Sequence, residues 1–464
     1  MSKPGLYLIT LGCAKNIVDS ESMAYLLKSS GYQIVEDPKD ADALVVNTCG
    51  FIKPARDESL SVLRELAAQK RNGQVLIAAG CLTQRYGVEV ARQVKDIDGI
   101  LGTRRWMDIV KVVTRLRNEK KPQPVYHLPE TTTIEREEHG VPRVAIQGGS
   151  AYIKIADGCR RPCAFCAIPL IKGPAFSRAP QIILDEAQKL QQQGVHELIL
   201  IAQDTTDYGH DLGMKNGLAR LLEDMVLNLK GSSSLKSANG GVRWIRVLYT
   251  YPGHVTDELI EVMARYPIIL PYLDMPLQHA HPKILRKMCR PTNMDWVNKT
   301  LEKARAAMPD LTLRTTFIVG YPGETEAEFQ TLLDFIETTR FDHVGAFPFS
   351  FETGTTSEVL GDPVPEQIKL ERYERLMEKQ RPISLEKNQA FIGRNLDVLI
   401  EGYGDGISIG RTYRDAPEED GMVLIEGMFP VGEFVTVRIT GVSPYELIGV
   451  AEGDSTIMKD SNLG

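Results

Sequence analysis

Short apolar runs alternate with stretches of helical periodicity through most of this chain. In the first 125 residues, Leu6–Leu11, Ala43–Asn47 and Val75–Ala79 are apolar runs of strand length. Between them, Asp19–Ser30 carries Met23, Leu26 and Leu27 at helical spacing and stops at Gly31; Glu58–Lys70 repeats the pattern with Leu60, Leu63 and Leu66. This βαβα order predicts a parallel sheet. Open sheets of that kind bind ligands beyond the carboxyl ends of their strands.

Pro122–Ser150 is polar and reads as a linker, after which the alternation resumes. Strand-like runs at Ala151–Ala156, Glu197–Ala202, Trp244–Tyr249, Tyr272–Met275, Leu313–Val319 and His343–Phe349 alternate with helical stretches. Those stretches are Pro180–Gln193, Gly217–Leu229, Thr256–Arg265, Asp295–Met308 and Glu324–Thr339. The stripe Leu218, Leu221, Leu222, Met225 is a helix core face. Six βα units are too few for a closed eight-stranded barrel, so the pattern predicts an open, partial (β/α)6 barrel. Lys230–Gly241 is low in complexity and reads as a surface loop. A charged helical stretch, Glu366–Gln380, leads to a different composition. Beyond Phe391 come five short alternating runs: Leu396–Glu401, Ile407–Tyr413, Met422–Ile425, Phe434–Thr440 and Tyr445–Val450. They predict a small β-barrel of the OB kind. The expected fold is α/β throughout: an N-terminal parallel α/β domain at 1–125, a linker at 126–147, the partial barrel at 148–385 and the OB-like barrel at 391–458.

The length of 464 residues fits two to four domains, and 43% hydrophobic with 25% charged residues is ordinary for a soluble protein. No apolar stretch approaches the roughly 20 residues of a membrane span, and Leu6–Leu11 is too short for a signal peptide. A cytoplasmic location is expected, where thiols stay reduced and free to bind metal. Charge is unevenly placed. From Phe391 onward five Lys and Arg face thirteen Asp and Glu, a net −8 against −7 for the whole chain. A surface of that sign repels phosphate and steers a basic partner, and Glu418-Glu419-Asp420 is its densest block.

Six of the seven cysteines fall into two sets of three. Cys159, Cys163 and Cys166 form a C-x3-C-x2-C run in the loop after the first barrel strand. Cys13, Cys49 and Cys81 are dispersed, yet each follows an apolar strand-like run by one or two residues, so the parallel sheet would gather them at one edge. A structural zinc takes four ligands, and no further His or Cys stands near the run to complete it. Disulfides fit neither the compartment nor the odd count. Three thiolates leave one iron of a cubane cluster open to a ligand. Cys289 reads as a small half-buried residue, and His279 and His281 as no part of a metal site. Gln203, Gln278 and Gly320 fall at the carboxyl ends of barrel strands, where barrel enzymes place ligand contacts. The bland reading of Gly320-Tyr-Pro-Gly323 is a plain strand-to-helix turn.

The spacing of the run, with Phe165 before its third cysteine, resembles the radical S-adenosylmethionine (SAM) superfamily, whose [4Fe–4S] cluster binds SAM through its open iron. The dispersed cysteines, this core and the terminal barrel together resemble the methylthiotransferases over essentially the full length. Leu11-Gly-Cys-Ala-Lys-Asn-Ile-Val-Asp-Ser-Glu21, Ala202–Gly209, Asp274-Met-Pro-Leu-Gln-His279 and Gly410-Arg-Thr-Tyr-Arg-Asp-Ala-Pro-Glu418 look like the branch acting on an aspartate of small-subunit ribosomal protein twelve. The alternative branch modifies a tRNA adenosine; the barrel's charge and these segments speak against it.

The resemblance implies two [4Fe–4S] clusters: one on Cys159, Cys163 and Cys166 binding SAM, and an auxiliary one on Cys13, Cys49 and Cys81 presenting the inserted sulfur. It implies two SAM, one as methyl donor and one as radical source, and a methylthio group placed on the aspartate β-carbon. It also implies SAM contacts from Phe165, Gln203, Gln278 and Gly320, and a C-terminal barrel of the TRAM kind. The expected partners are a basic ribosomal protein, met through the acidic barrel, and a reducing electron donor such as a flavodoxin; neither tRNA nor membrane is expected, and the chain is expected to be a monomer. One segment departs from the family. Where the family continues with Arg-Gly-x-x-Arg-Ser-Arg, this chain has Lys172, Phe176 and Arg178, which leaves any role of the missing arginines open.

Overall fold

The computed structural model describes residues 3–118, 124–128, 145–229 and 241–452. The middle of the expected linker and nearly all of the Lys230–Gly241 loop lie outside these residues. The first unit is a six-stranded, all-parallel sheet in the order β2-β1-β3-β4-β5-β6. Its strands are β1 (Gly5–Thr10), β2 (Gln33–Ile34), β3 (Ala43–Thr48), β4 (Val75–Gly80), β5 (Gly99–Gly102) and β6 (Val125–His127). Every residue of β3 and β4 is buried, as a strand covered on both faces requires. Helices α1 (Ala14–Ser29), α2 (Lys53–Gln69), α3 (Cys81–Gln93) and α4 (Ile109–Asn118) cover the two faces. One core holds Met23, Leu27, Val112 and Val113, the other Leu63, Leu66, Leu82 and Val90.

The central unit contains the six expected strands in two parallel sheets. One joins β7 (Ala145–Gln147), β8 (Ser150–Lys154), β11 (Glu197–Ile201) and β12 (Trp244–Val247); β7 alone is antiparallel. A two-stranded ribbon, β9 (Ala156–Asp157) and β10 (Phe176–Ser177), brackets the cysteine run. The other sheet joins β13 (Tyr272–Asp274), β14 (Thr312–Val319) and β15 (His343–Pro348). A bridge between Ile245 and Ile269 links the sheets into one open half-barrel.

Five strands close the C-terminal barrel: β16 (Asn395–Gly404), β17 (Ile407–Arg411), β18 (Met422–Glu426), β19 (Phe434–Val442) and β20 (Glu446–Ala451). The helix before it runs Glu366–Gln389, past the expected stop at Gln380 and through Pro382. Tertiary contacts outweigh the missing amide: Ile383 and Ser384 are buried, and Gln380 Nε2 donates to Phe341 O at 2.9 Å and Ser384 Oγ at 3.0 Å.

The three units share one core. Tyr152, Ile199, Ile201, Leu248 and Tyr272 line the inside of the half-barrel, and Ala14 and Val18 of α1 and Ala416 of the β17–β18 segment fill it. Part of the acidic block has partners inside the molecule. Arg314 on β14 donates to Glu419 at 2.5 Å, to Asp420 at 3.1 Å and to Asp274 at 3.0 Å, and the Asp420 side chain is buried. Two of the three carboxylates thus tie the barrel to the core, Asp420 by a buried side chain and Glu419 by an exposed one, while Glu418 is exposed as well.

Candidate active site

The strand ends do gather the dispersed cysteines. Cys13 follows β1 and caps α1; Cys81 follows β4 and opens α3. The backbone N–H groups at a helix start favour negative charge, so both positions suit a thiolate. Cys49 follows β3, its N–H donating to Ser59 Oγ at 3.1 Å. Asn16 ties the three loops together. Its Nδ2 donates to Leu11 O at 2.8 Å and Thr48 O at 3.2 Å, and its Oδ1 accepts from Cys81 Sγ at 3.6 Å. Gly12 cannot be replaced freely. It has φ +94, and a Cβ there would come 3.0 Å from Cys49 Sγ.

The second triad sits on the loop between β9 and the short helix α5 (Ile168–Ile171). Gly158 makes its entry possible, with φ +78 and Pro174 O 1.9 Å from where a Cβ would be. Cys159 N–H donates to Gly173 O at 3.1 Å, and Arg290 Nη1 donates to Cys163 Sγ at 3.5 Å. Cys81 packs on Ala167 and Ile171 of this loop.

All six cysteines line one cavity of about 320 Å³, together with Lys15, Phe165, Gln203, Tyr249 and Gln278 among others. Among the described residues no group of three Cys, His, Asp or Glu side chains is placed to hold a single metal ion. Burial pushes the thiols up, Cys81 and Cys166 to about 12 and Cys49 and Cys159 to about 11. Buried thiols of this kind are poor acids alone and become thiolates when a metal takes the charge. Two sets of three soft donors facing one cavity fit two clusters, each with an iron left open.

Of the expected SAM contacts, Phe165, Gln203 and Gln278 line the cavity. Gln203 Nε2 donates to Asp157 at 3.0 Å, while its buried Oε1 has no partner among the described residues. Gly320 does not line it. Its N–H donates to Glu324 at 3.1 Å and a Cβ there would strike Lys369. Cys289 also differs from expectation: it is exposed, at φ +53 just past a helix end, because Met288 rather than Cys289 turns inward. Sequence reasoning missed Lys15, Asn16, Tyr249 and Arg290. Lys15 and Asn16 stand within three residues of Cys13, and that proximity was the signal.

Three family models match in succession: "Uncharacterized protein family UPF0004" at 5–102, the radical SAM superfamily at 153–336 and the TRAM domain at 392–451. A protein of Chloroflexus aurantiacus named ribosomal protein uS12 methylthiotransferase RimO is 46% identical, over 96% of this chain and 99% of its own length. The chain belongs to the RimO family of methylthiotransferases. RimO proteins of a Roseiflexus species and of Symbiobacterium thermophilum are 45% and 44% identical, over 96% and 97% of this chain and 96% and 91% of theirs. Among solved structures, the radical SAM methyltransferase TsrM of Kitasatospora setae matches with a TM-score of 0.55 and 13% identity, over 86% of this chain and 79% of that one. The cobalamin-dependent radical enzyme OxsB matches at 0.51 and 13%, over 81% and 56%. These two share the fold of this chain.

Proposed function

We propose that this chain methylthiolates the β-carbon of an aspartate in ribosomal protein uS12. Cys159, Cys163 and Cys166 hold the [4Fe–4S] cluster at which SAM binds, and Cys13, Cys49 and Cys81 hold the auxiliary cluster. The observation that carries this reading is the single cavity that six thiols line. When bound, the clusters and two SAM supply the electron, the hydrogen-abstracting radical, the methyl group and the sulfur. The chain's own part is placement. Phe165, Gln203 and Gln278 wall the SAM side of the cavity, and Arg290 holds Cys163 and stacks on Tyr251, ring centroid 4.2 Å away. Cys81 packs on Ala167 and Ile171, which joins the first triad to the loop of the second.

The units at 1–125, 148–385 and 391–458, joined by the linker at 126–147, divide the work. The matched stretches at 5–102, 153–336 and 392–451 each fall within one unit and support the division. The substrate is basic and is met by the acidic barrel, through exposed Asp405, Glu418, Glu426 and Glu433 rather than Glu419 and Asp420. A flavodoxin-type donor reduces the enzyme, which works as a monomer in the cytoplasm; no described helix is long and apolar enough to cross a membrane.

The test is anaerobic. The protein is reconstituted with iron and sulfide and given SAM, reductant and either uS12 or tRNA, and each is followed by mass spectrometry. A methylthio mass gain on an aspartyl peptide alone is expected; a gain on adenosine alone overturns the reading. Cys163→Ala is expected to abolish SAM cleavage, and Cys49→Ala to spare cleavage and stop sulfur transfer. Equal loss of cleavage in both contradicts separate roles.

A further inference from the structure

We infer that Lys15 receives the carboxylate of the substrate aspartate and makes the enzyme choose an acid over its amide, an inference that rests on the aspartyl substrate proposed above. Lys15 lies in the first turn of α1, two residues after Cys13, and lines the cavity with all six thiols. Arg161 and Arg290 are the other cations among the described lining residues, and both are engaged. Arg161 donates to Asp204 at 2.6 Å and to Asp207 at 3.3 Å. Arg290 donates to Cys163 Sγ and to Pro276 O. Among the described residues Lys15 has neither a hydrogen bond nor an ion pair; its Nζ lies over the Tyr249 ring, 3.2 Å from the centroid.

The internal carboxylates whose charge reaches Lys15, Asp274 and Glu419, are hydrogen-bonded to other groups. Asp274 accepts from Arg314 at 3.0 Å and from Tyr249 N–H at 2.8 Å. Glu419 accepts from Arg314 at 2.5 Å and from Tyr249 O–H at 3.3 Å. The same contacts fix the aromatic platform beneath Lys15 and hold Tyr249 at φ +63, a conformation a bulky residue adopts only where the surroundings enforce it. An ammonium held in a largely apolar cavity without a counter-ion is stabilised by one that arrives with the ligand.

The chemistry of the substrate suits this anchor. In aspartate the β-carbon is bonded directly to the carboxylate carbon. A carboxylate held at Lys15 therefore keeps the reacting carbon within one bond of the anchor, beside the triad that includes Cys13. Orienting a reacting atom this closely is worth far more than affinity alone.

The competing role for Lys15 is to balance the charge of Cys13. To separate the two, the dissociation constants of uS12 carrying Asp or Asn at the modified position are measured on reconstituted full-length wild type, Lys15→Met and Lys15→Arg. Wild type is expected to bind the Asp form about tenfold more tightly, as a hydrogen bond to a charged group allows. Lys15→Met is expected to bind both forms within about twofold, and Lys15→Arg to restore the preference. An Asp/Asn ratio in Lys15→Met equal to that of wild type overturns the inference, and so does a wild type that does not discriminate. Where Lys15→Met fails to fold, Lys15→Gln is measured in its place, and a wild-type Asp/Asn ratio kept there overturns the inference equally. Methylthiolation of uS12 with an unaltered ratio removes only the role of Lys15; no methylthiolation of uS12 at all removes the substrate reading beneath it.

Discussion

Lys172 Nζ lies 3.1 Å from Asp19 Oδ2, and this contact ties one cysteine triad to the other. Asp19 is on α1, six residues after Cys13, and Lys172 is six residues after Cys166. Asp157 accepts from Lys172 at 3.2 Å and Lys154 donates to Asp19, so four buried charges alternate in sign. Burial pulls the Lys172 ammonium down, but Asp157 and Asp19 outweigh it and hold its pKa well above the usual range. The departure from the family's arginine thus has a use here. The compact ammonium reaches both carboxylates from one point, where a guanidinium would have to spread its planar fork between them.

Lys172→Met leaves two buried carboxylates with one partner cation fewer. The expected loss is about 3 kcal/mol, the scale of breaking a buried pair. Equilibrium denaturation of the full chain measures it, and Lys172→Arg is expected to recover part.

A second buried cluster predicts a pH dependence. Glu197 opens β11 and accepts from Arg246 at 2.8 Å and from Arg411 of the C-terminal barrel at 2.7 Å. Burial raises its pKa, but the two guanidinium groups win and bring it from 4.5 to about 2. The folded value lies below the unfolded one, so the stabilisation is complete above about 4.5 and is lost as pH falls towards 2. Stability of the wild type is expected to fall steeply across that window. Glu197→Gln is expected to flatten the fall and to cost about 3 kcal/mol at neutral pH. Denaturation at a series of pH values reads both.

Asn16 predicts a selective defect in cluster loading. Asn16→Ala removes the bonds to Leu11 O and Thr48 O that set the strand-end loops, and leaves the C-x3-C-x2-C loop untouched. Iron content after reconstitution is expected to fall from about eight per chain towards about four, with the SAM-responsive signal kept. Equal loss of both clusters contradicts this.

The Arg314 contacts predict that the acidic residues of the barrel divide into two groups. Arg314→Met or Glu419→Gln is expected to loosen the barrel from the core and speed limited proteolysis between them. Neutralising Asp405, Glu418, Glu426 and Glu433 together is expected to leave proteolysis unchanged. It is expected to weaken uS12 binding several-fold at low salt and little at high salt, where surface charges are screened.

Much of the fold was legible because periodicity is local. The six βα units and the five barrel strands were readable from apolar spacing, with ends displaced by a residue or two. The helix through Pro382 was not readable, because Ile383 and Asn388 are held by distant partners. At the site, Gln203 and Gln278 could be placed by their strand ends. Gly320 shares that feature, yet its N–H points at Glu324 and its open side is filled by Lys369. A strand end gives the height of a residue on the barrel, and only packing gives its direction.

By itself the sequence determined the donor chemistry and the order of the elements: two sets of three cysteines, a parallel sheet, a half-barrel and a small closed barrel. Residue type and local spacing suffice for these, since each element forms by contacts along a few turns or pairs. Only the tertiary structure decided that both triads face one cavity, that Glu419 and Asp420 pair with Arg314, and that Lys15 stands there with no ion pair among the described residues. Those facts depend on which faces of distant segments meet. Burial of apolar surface drives the segments together, and the few charged groups caught between them settle into whichever pairs the packing permits.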